Sequence, residues 1–251
     1  MASASAAPPG ELLDDEGRAA VAASHLCSLP AEVMDGLLAD AARLRVPAGS
    51  MIHRQGETSP HLEVVVSGLV RVCMAAPDGR TMTVRYCRPG ALIGAVSLFA
   101  TPFSLPATIQ AVTDADLLVL RASVVRRAAD RDVRVARALV DELSERVVSF
   151  LTEIGGVFTS VRQRVARHLL DLAVQNQRGS ELVAEIAQQD LADAVGSVRE
   201  VVVRALRELR AEGVLQTRRG GIVLLDPERL MEEAHGPAAG TSVPLRRNEG
   251  R

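Results

Sequence analysis

The chain has no tryptophan, a single tyrosine and four phenylalanines in 251 residues, so it lacks the aromatic platforms on which single-stranded nucleic acids stack. Lysine is absent too, and all 29 basic residues are arginines, a bias that a GC-rich coding genome explains without any mechanism. The three cysteines, Cys27, Cys73 and Cys87, are too few and too scattered for a disulfide framework, a four-cysteine metal site or an iron–sulfur cluster. They read as reduced thiols. No apolar run approaches the roughly 18 residues of a membrane span. The opening Ala/Ser/Pro-rich stretch has neither the basic nor the apolar segment of a secretory signal, so residues 1–24 read as a disordered arm and the chain as cytoplasmic.

What is present is a globular composition, with 47% hydrophobic and 24% charged residues. At roughly 100 to 200 residues per domain the length suggests two domains. The formal charge of −2 does not exclude a nucleic-acid partner, because a whole-chain average conceals a local basic face.

The texture changes along the chain. Leu29-Pro30-Ala31-Glu32 with Val33, Leu37, Leu38 and Ala41 predicts a short amphipathic helix entered through proline. From Arg43 to Arg121, short apolar stretches alternate with Gly49, Gly56, Gly68, Gly79 and Gly90, the rhythm of an antiparallel sandwich or roll. Asp78-Gly79 supplies the positive φ angles of a tight hairpin. This β domain is expected over 25–132.

From residue 133 the period becomes helical. Val133, Ala136, Val140, Leu143, Val147, Phe150 and Ile154 recur at alternating spacings of three and four, the 3.5-residue repeat of a coiled-coil seam, which predicts a dimerisation helix over 133–160. A helix packed on its own β domain is the other reading of that pattern. Gly155-Gly156 interrupts it, so the helix either ends or flexes there, and the pair is a candidate hinge.

Residues 161–232 predict a winged helix-turn-helix. Arg162 to Ala173 forms one helix, and Leu191, Ala192, Val195, Gly196, Val202, Ala205 and Leu206 suit two short helices packed across a glycine turn. Ser197-Val198-Arg199-Glu200 has the pattern of a capping box starting the second helix. Val214 to Thr217, a turn at Arg218-Arg219-Gly220-Gly221 and Ile222 to Leu225 form the wing. From Ser197 to Gly221 six arginines face three glutamates, so this stretch is basic within a slightly acidic chain. Arg199, Glu200 and Arg204 at the start of the second helix suit base edges in the major groove, where arginine bonds guanine bidentately. Ser197, Arg218 and Arg219 suit the phosphate backbone. Residues 233–251 read as a disordered tail.

The sequence resembles the Crp/Fnr transcription regulators over about residues 25 to 230. The resemblance is carried by Ile52-His53-Arg54-Gln55-Gly56-Glu57, Val65-Val66-Ser67-Gly68, the Asp78-Gly79 hairpin, Pro89-Gly90-Ala91-Leu92-Ile93-Gly94, the long helix and Gly196-Ser197-Val198-Arg199-Glu200-Val201-Val202-Val203-Arg204. It implies an α+β protein with a cyclic-nucleotide-binding-like antiparallel β-roll, a long dimerisation helix and a C-terminal winged helix-turn-helix. It further implies a homodimer on double-stranded DNA with an inverted-repeat site, base reading by Arg199, Glu200 and Arg204, and RNA polymerase as a partner if the protein activates.

In cyclic-AMP-binding members of that family a glutamate follows the cassette glycine, and an Arg-Ser pair lies about eleven residues beyond it. Here Ala95 follows Gly94, and Leu105 and Pro106 stand at the later positions, so the pocket is expected to be degenerate and cyclic AMP not to be its cofactor. The helix positions that contact adenine in the family fall near Phe150 and Leu151, or at Ser149 or Thr152 with a one-residue shift. Three rivals remain: a sensor of an apolar or other effector, a constitutive regulator with a vestigial pocket, and a cupin-like metal enzyme, whose histidine and glutamate set His53, His61 and Glu63 do not reproduce. His25 with Cys27, or His53 with His61, offer possible ligands, but no metal site and no enzyme are expected.

Overall fold

A computed structural model describes residues 13–58, 61–75, 81–100, 104–157, 159–175, 181–218 and 221–235. The chain divides into two compact units, Met1–Phe158 and Thr159–Arg251. Among the described residues no helix is long and apolar enough to cross a membrane.

The described part of the first unit starts with a helix, which corrects the expected disorder over residues 15–22. Helix α1 (Asp15–Ala22) is capped by the Asp14 carboxylate, which accepts from the Gly17 N–H at 2.7 Å, and carries Asp15 and Glu16 in its first turn where the helix dipole favours them. Its Ala20 and Val21 are buried, as is Leu26 in the following 3-10 turn His25–Ser28, so burial of an apolar face orders this segment. Helix α2 (Ala31–Leu38) starts after Pro30, as its sequence predicts.

Among the described residues eight strands follow: β1 (Ala42–Val46), β2 (Met51–His53), β3 (His61–Ser67), β4 (Val70–Ala75), β5 (Thr81–Cys87), β6 (Leu92–Ile93), β7 (Thr108–Ala111) and β8 (Ala115–Arg121). They form two antiparallel four-stranded sheets, ordered β1-β8-β3-β6 and β2-β7-β4-β5. β4 and β5 pair from Val70↔Cys87 to Ala75↔Thr81, as a hairpin requires, while Asp78 and Gly79 lie outside the described residues.

Strand β3 shows how alternation builds two cores. Its Leu62, Val64 and Val66 pack with Leu118, Leu120 and the helices, while Val65 joins Val46, Ile109 and Leu117 in the other core. Glu63, 2% exposed, shares a 2.6 Å hydrogen bond with His53 of β2, in the opposite sheet. Burial opposes charge on His53, but Glu63, aided by Glu57, outweighs it and raises its pKa. His53 and Glu63 of the supposed ligand sets are thus tied into a structural pair. Burial likewise raises the thiols of Cys73 and Cys87, both free and buried, which disfavours the thiolate.

Gly68, between β3 and β4, has φ +84°, and a Cβ there would lie 2.2 Å from the Asp114 carbonyl oxygen. Gly68→Ala is expected to cost at least about 1 to 2 kcal/mol from the left-handed backbone alone, with the backbone clash added. Chemical denaturation should show a lower midpoint with an unchanged slope.

Two helices close the unit, α3 (Ala122–Arg131) and the long α4 (Val133–Val157). Gly155 and Gly156 lie within α4, so the helix does not end at the pair, and the division between units comes after Phe158.

In the second unit, α5 (Val161–Leu172) begins with a capping box formed by Ser160 with Gln163. Next come β9 (Val174–Gln175), β10 (Leu182–Ala184), α6 (Gln188–Ala194), α7 (Arg199–Ala211), β11 (Leu215–Arg218), β12 (Gly221–Leu224) and α8 (Pro227–His235). The wing is an antiparallel sheet ordered β11-β12-β10-β9 rather than a lone hairpin. Helix α8 corrects the start of the expected tail: Leu230 and Ala234 are buried, and α8 packs on α5.

Candidate nucleic-acid interface and ligand pocket

The helix-turn-helix is assembled from α6, a four-residue turn and α7. Gly196 takes φ +64°, and the Ser197 N–H donates to the Ala192 carbonyl at 2.9 Å, closing the turn behind α6. That bond corrects the expected capping box at Ser197. Ser197 is spent on ending α6, so the cap of α7 falls one residue later at Val198, which supplies no side-chain bond. Leu191, Ala192, Val195, Val202, Ala205 and Leu206 are buried and lock the two helices together.

Arg164 of α5 secures the turn. Its Nε donates to the Val195 carbonyl at 3.0 Å and its guanidinium also to the Thr159 carbonyl at 2.7 Å. Burial, with Arg167 nearby, lowers this guanidinium from its usual pKa. No sequence signal marks Arg164, because its partners are backbone carbonyls.

The charges of α7 are sorted along its length. At its C-terminal end Arg162 bonds Glu212 at 2.7 and 2.8 Å, meets Glu208 at 3.7 Å and Glu233 at 3.0 Å, and Arg229 adds a second cation to Glu212 at 3.3 Å. The Arg162 hydrogen bonds hold the Glu212 carboxyl below its ordinary pKa and push Arg162 above its own. Glu208 and the capping Glu212 at this end are therefore engaged by arginines of α5 and α8. Arg199, Glu200 and Arg204, by contrast, are exposed near its N-terminal end, and no described side chain bonds them. The result is a basic helix start with its donors open to a ligand.

The wing differs from expectation. Arg218 forks onto Glu181 at 2.8 and 3.1 Å and reaches Gln216 at 3.2 Å, so it must exchange a carboxylate for any phosphate. Arg219 lies outside the described residues.

In the first unit Gly94, Ala95, Leu105 and Pro106 line one cavity of about 140 Å³, with Val72, Leu92, Ile93, Ile109, Leu143, Arg85 and Arg146 among the other lining residues. Gly94 has φ +90°, and a Cβ would meet the His61 carbonyl at 2.5 Å, so the turn into the cavity wall needs glycine. Two arginines, Arg85 of β5 and Arg146 of α4, bring to the cavity the positive charge that the cassette positions lack. Arg146 pairs with Glu142, a buried residue also bonded by His25 at 2.8 Å, and His25 reaches Glu145 at 3.1 Å. His25 is thereby committed to two glutamates, and Cys27 is exposed. Burial lowers the Arg85 guanidinium from its usual pKa.

Helix α4 has two faces. Val135, Ala138, Leu139 and Glu142 are buried against their own unit, while Val133, Val140, Val147 and Phe150 of the expected seam stand exposed, together with Leu151. Ala136 and Leu143 are half-buried, and Leu143 is directed to the cavity; the side chain of Ile154 is outside the described residues. Neither Phe150 nor Leu151 lines the cavity, and Ser149 is exposed as well.

Comparison with known proteins gives this arrangement a family. Residues 163–233 match the Crp-like helix-turn-helix domain and residues 43–132 the cyclic nucleotide-binding domain. The transcriptional regulator LdrP of Thermus thermophilus is 33% identical over 190 residues, which cover 73% of this chain and 92% of the relative. The chain belongs to the Crp/Fnr family. A CRP-like cAMP-activated global transcriptional regulator of Mycobacterium tuberculosis is 28% identical over 194 residues, covering 75% of this chain and 86% of its own. The solved structure of the c-di-GMP responsive global regulator CLP of Xanthomonas campestris superposes with a TM-score of 0.66 at 26% identity, covering 78% of this chain and 99% of that one. The antiparallel β domain followed by a winged helix-turn-helix is the expected α+β architecture, and this Crp/Fnr protein is a DNA-binding transcriptional regulator, not an enzyme. The cupin-like rival falls with that result.

Proposed function

We propose that the protein acts in the cytoplasm as a homodimeric, sequence-specific regulator that binds an inverted repeat in double-stranded DNA and does not depend on cyclic AMP. The observation that carries this reading is the sorting of charge on α7: Arg199, Glu200 and Arg204 are open at the helix start, while Glu208 and Glu212 are engaged by arginines of neighbouring helices. In this reading Arg199, Glu200 and Arg204 meet base edges, and Ser197, Arg218 and Arg219 meet phosphates. The exposed Val133, Val140, Val147 and Phe150 form the dimer seam, which half-buried Ala136 and Leu143 border. Gly155 and Gly156 weaken the last turn of α4 just before the division between units, so the pair serves as a hinge that a small free-energy input biases. RNA polymerase is the further partner if the protein activates.

The degenerate pocket rests on what lines it. Ala95, Leu105 and Pro106 supply no carboxylate, guanidinium or hydroxyl where cyclic-AMP-binding relatives are expected to have them. The relatives respond to different nucleotides, one to cAMP and one to c-di-GMP, so the scaffold alone does not dictate a ligand.

Genomic mapping of bound DNA should yield an inverted repeat with half-site centres about one helical turn apart. Calorimetry with cyclic AMP and cyclic GMP is expected to show no micromolar binding, since each lost charged hydrogen bond costs roughly 1.5 to 3 kcal/mol. Operator affinity should be the same with and without either nucleotide. Micromolar binding coupled to tighter operator binding would refute the degenerate-pocket reading.

A further inference from the structure

The cavity holds two guanidiniums and one carboxylate. Arg146 is matched by Glu142, whose other oxygen is taken by His25. Arg85 is left over. Its guanidinium donates to the Leu92 carbonyl at 3.4 Å, and it forms no ion pair with a described carboxylate. A partly buried cation that makes no ion pair has lost water with only the longer-range attraction of Glu142 and Glu145 in return, a cost that a directly bound anion removes.

We infer that this cavity is a receptor site for a small monocarboxylate with an apolar body, of the size of benzoate or hexanoate, held by Arg85. Size points the same way as charge. An apolar cavity of about 150 Å³ accommodates benzene, and this one is about 140 Å³. The hydrocarbon part of the ligand has Leu92, Ile109 and Leu143 to pack against. A carboxylate suits the planar fork of Arg85, which donates two parallel N–H bonds. A dianion does not fit: the second charge would meet apolar wall, or Glu142, with Arg146 already engaged. A neutral molecule leaves Arg85 as it is. Because α4 contributes Leu143, Glu142 and Arg146 to the lining, an occupant touches the same helix that carries the exposed stripe.

This inference rests on the reading that the pocket is not a cyclic-nucleotide site, and names the ligand class in its place. The test uses the full chain, with thermal shift and calorimetry against sodium benzoate and sodium hexanoate. Benzyl alcohol and hexanol serve as neutral counterparts, and inorganic phosphate and cyclic AMP as other anions. The carboxylates should bind and raise the denaturation midpoint in a concentration-dependent way, with the alcohols roughly tenfold or more weaker. Phosphate should give no shift. Arg85→Gln should bring the carboxylates down to the level of the alcohols, and Arg85→Lys should restore part of the difference. If Arg85→Gln does not fold, Val96→Phe provides the check: Val96 lines the cavity yet is 49% exposed, so a larger side chain there narrows the mouth without disturbing the core. The inference is wrong if neither carboxylate binds, if the alcohols bind as well as the acids, or if the folded variants leave binding unchanged. Micromolar cyclic AMP binding would defeat both this inference and the degenerate-pocket reading, whereas silence from every compound would defeat only the former.

Discussion

Arg199→Ala and Arg204→Ala are each expected to weaken binding to the preferred operator by about 1 to 3 kcal/mol, roughly five- to 150-fold, and to relax the sequence preference at one position of each half-site. The side chains are exposed and without a described partner, so removing them should leave the stability of the unit nearly unchanged and the loss should fall on binding. Arg219→Ala should behave differently, weakening all DNA alike and lowering the salt slope by about one. For Arg218 the change should be smaller, because part of what a phosphate would contribute is already made by Glu181 in the free protein. Titrations of operator and scrambled duplex across a salt series separate the two classes. Equal affinity of the Arg199→Ala and Arg204→Ala variants for both duplexes, at the level of the unaltered protein, would remove α7 from base reading.

The second large effect is expected at the exposed stripe of α4. Val147→Glu places a carboxylate at a side chain that is 58% exposed in the single chain, so the fold should be retained. Across a two-fold seam the same substitution brings two like charges together in an apolar contact, and desolvating them unpaired costs several kcal/mol. Sedimentation should show a monomer. Operator affinity should fall by about a hundredfold or more, because a monomer loses the effective concentration that a linked second half-site supplies. Val135→Glu is the contrasting variant: Val135 is fully buried against its own unit, so the charge there should destabilise the fold instead. A folded Val147→Glu dimer with full operator affinity would place the seam elsewhere.

The helix-turn-helix was legible because its signals are local. Leu191, Val195, Val202 and Leu206 keep a helical period on either side of Gly196, whose left-handed conformation few other residues accept. The cap was misplaced by one residue, since Ser197 has both the chemistry of a cap and the position of a turn-closing donor, and only the bond to Ala192 decides between them. Helix α1 was missed because the Ala/Ser/Pro composition before it outweighed the Asp14 cap and the buried Ala20 and Val21. Helix α8 went unread for a similar reason, its apolar face being only Leu230 and Ala234 over nine residues. In α4 the heptad pattern and the packing face overlap in sequence, and the sequence cannot say that Val135, Ala138 and Leu139 turn inward while Val140 and Val147 turn out.

The sequence by itself determined the order of the elements, the α+β class, the Crp/Fnr resemblance and the residues at the start of α7, all of which follow from periodicity, turn chemistry and motifs within a short window of chain. Tertiary structure decided how charge is distributed among those elements. Arg162 reaches Glu212 across 50 residues, Arg218 reaches Glu181 across 37, and Arg85 of β5 comes to line one cavity with Arg146 of α4. Whether an arginine is spent on a carboxylate or left open depends on distances of a few ångströms between segments far apart in the chain. Electrostatic interaction falls off with separation in space and is indifferent to separation in sequence, so which arginines remain free for DNA or for a ligand becomes visible only once the chain has folded.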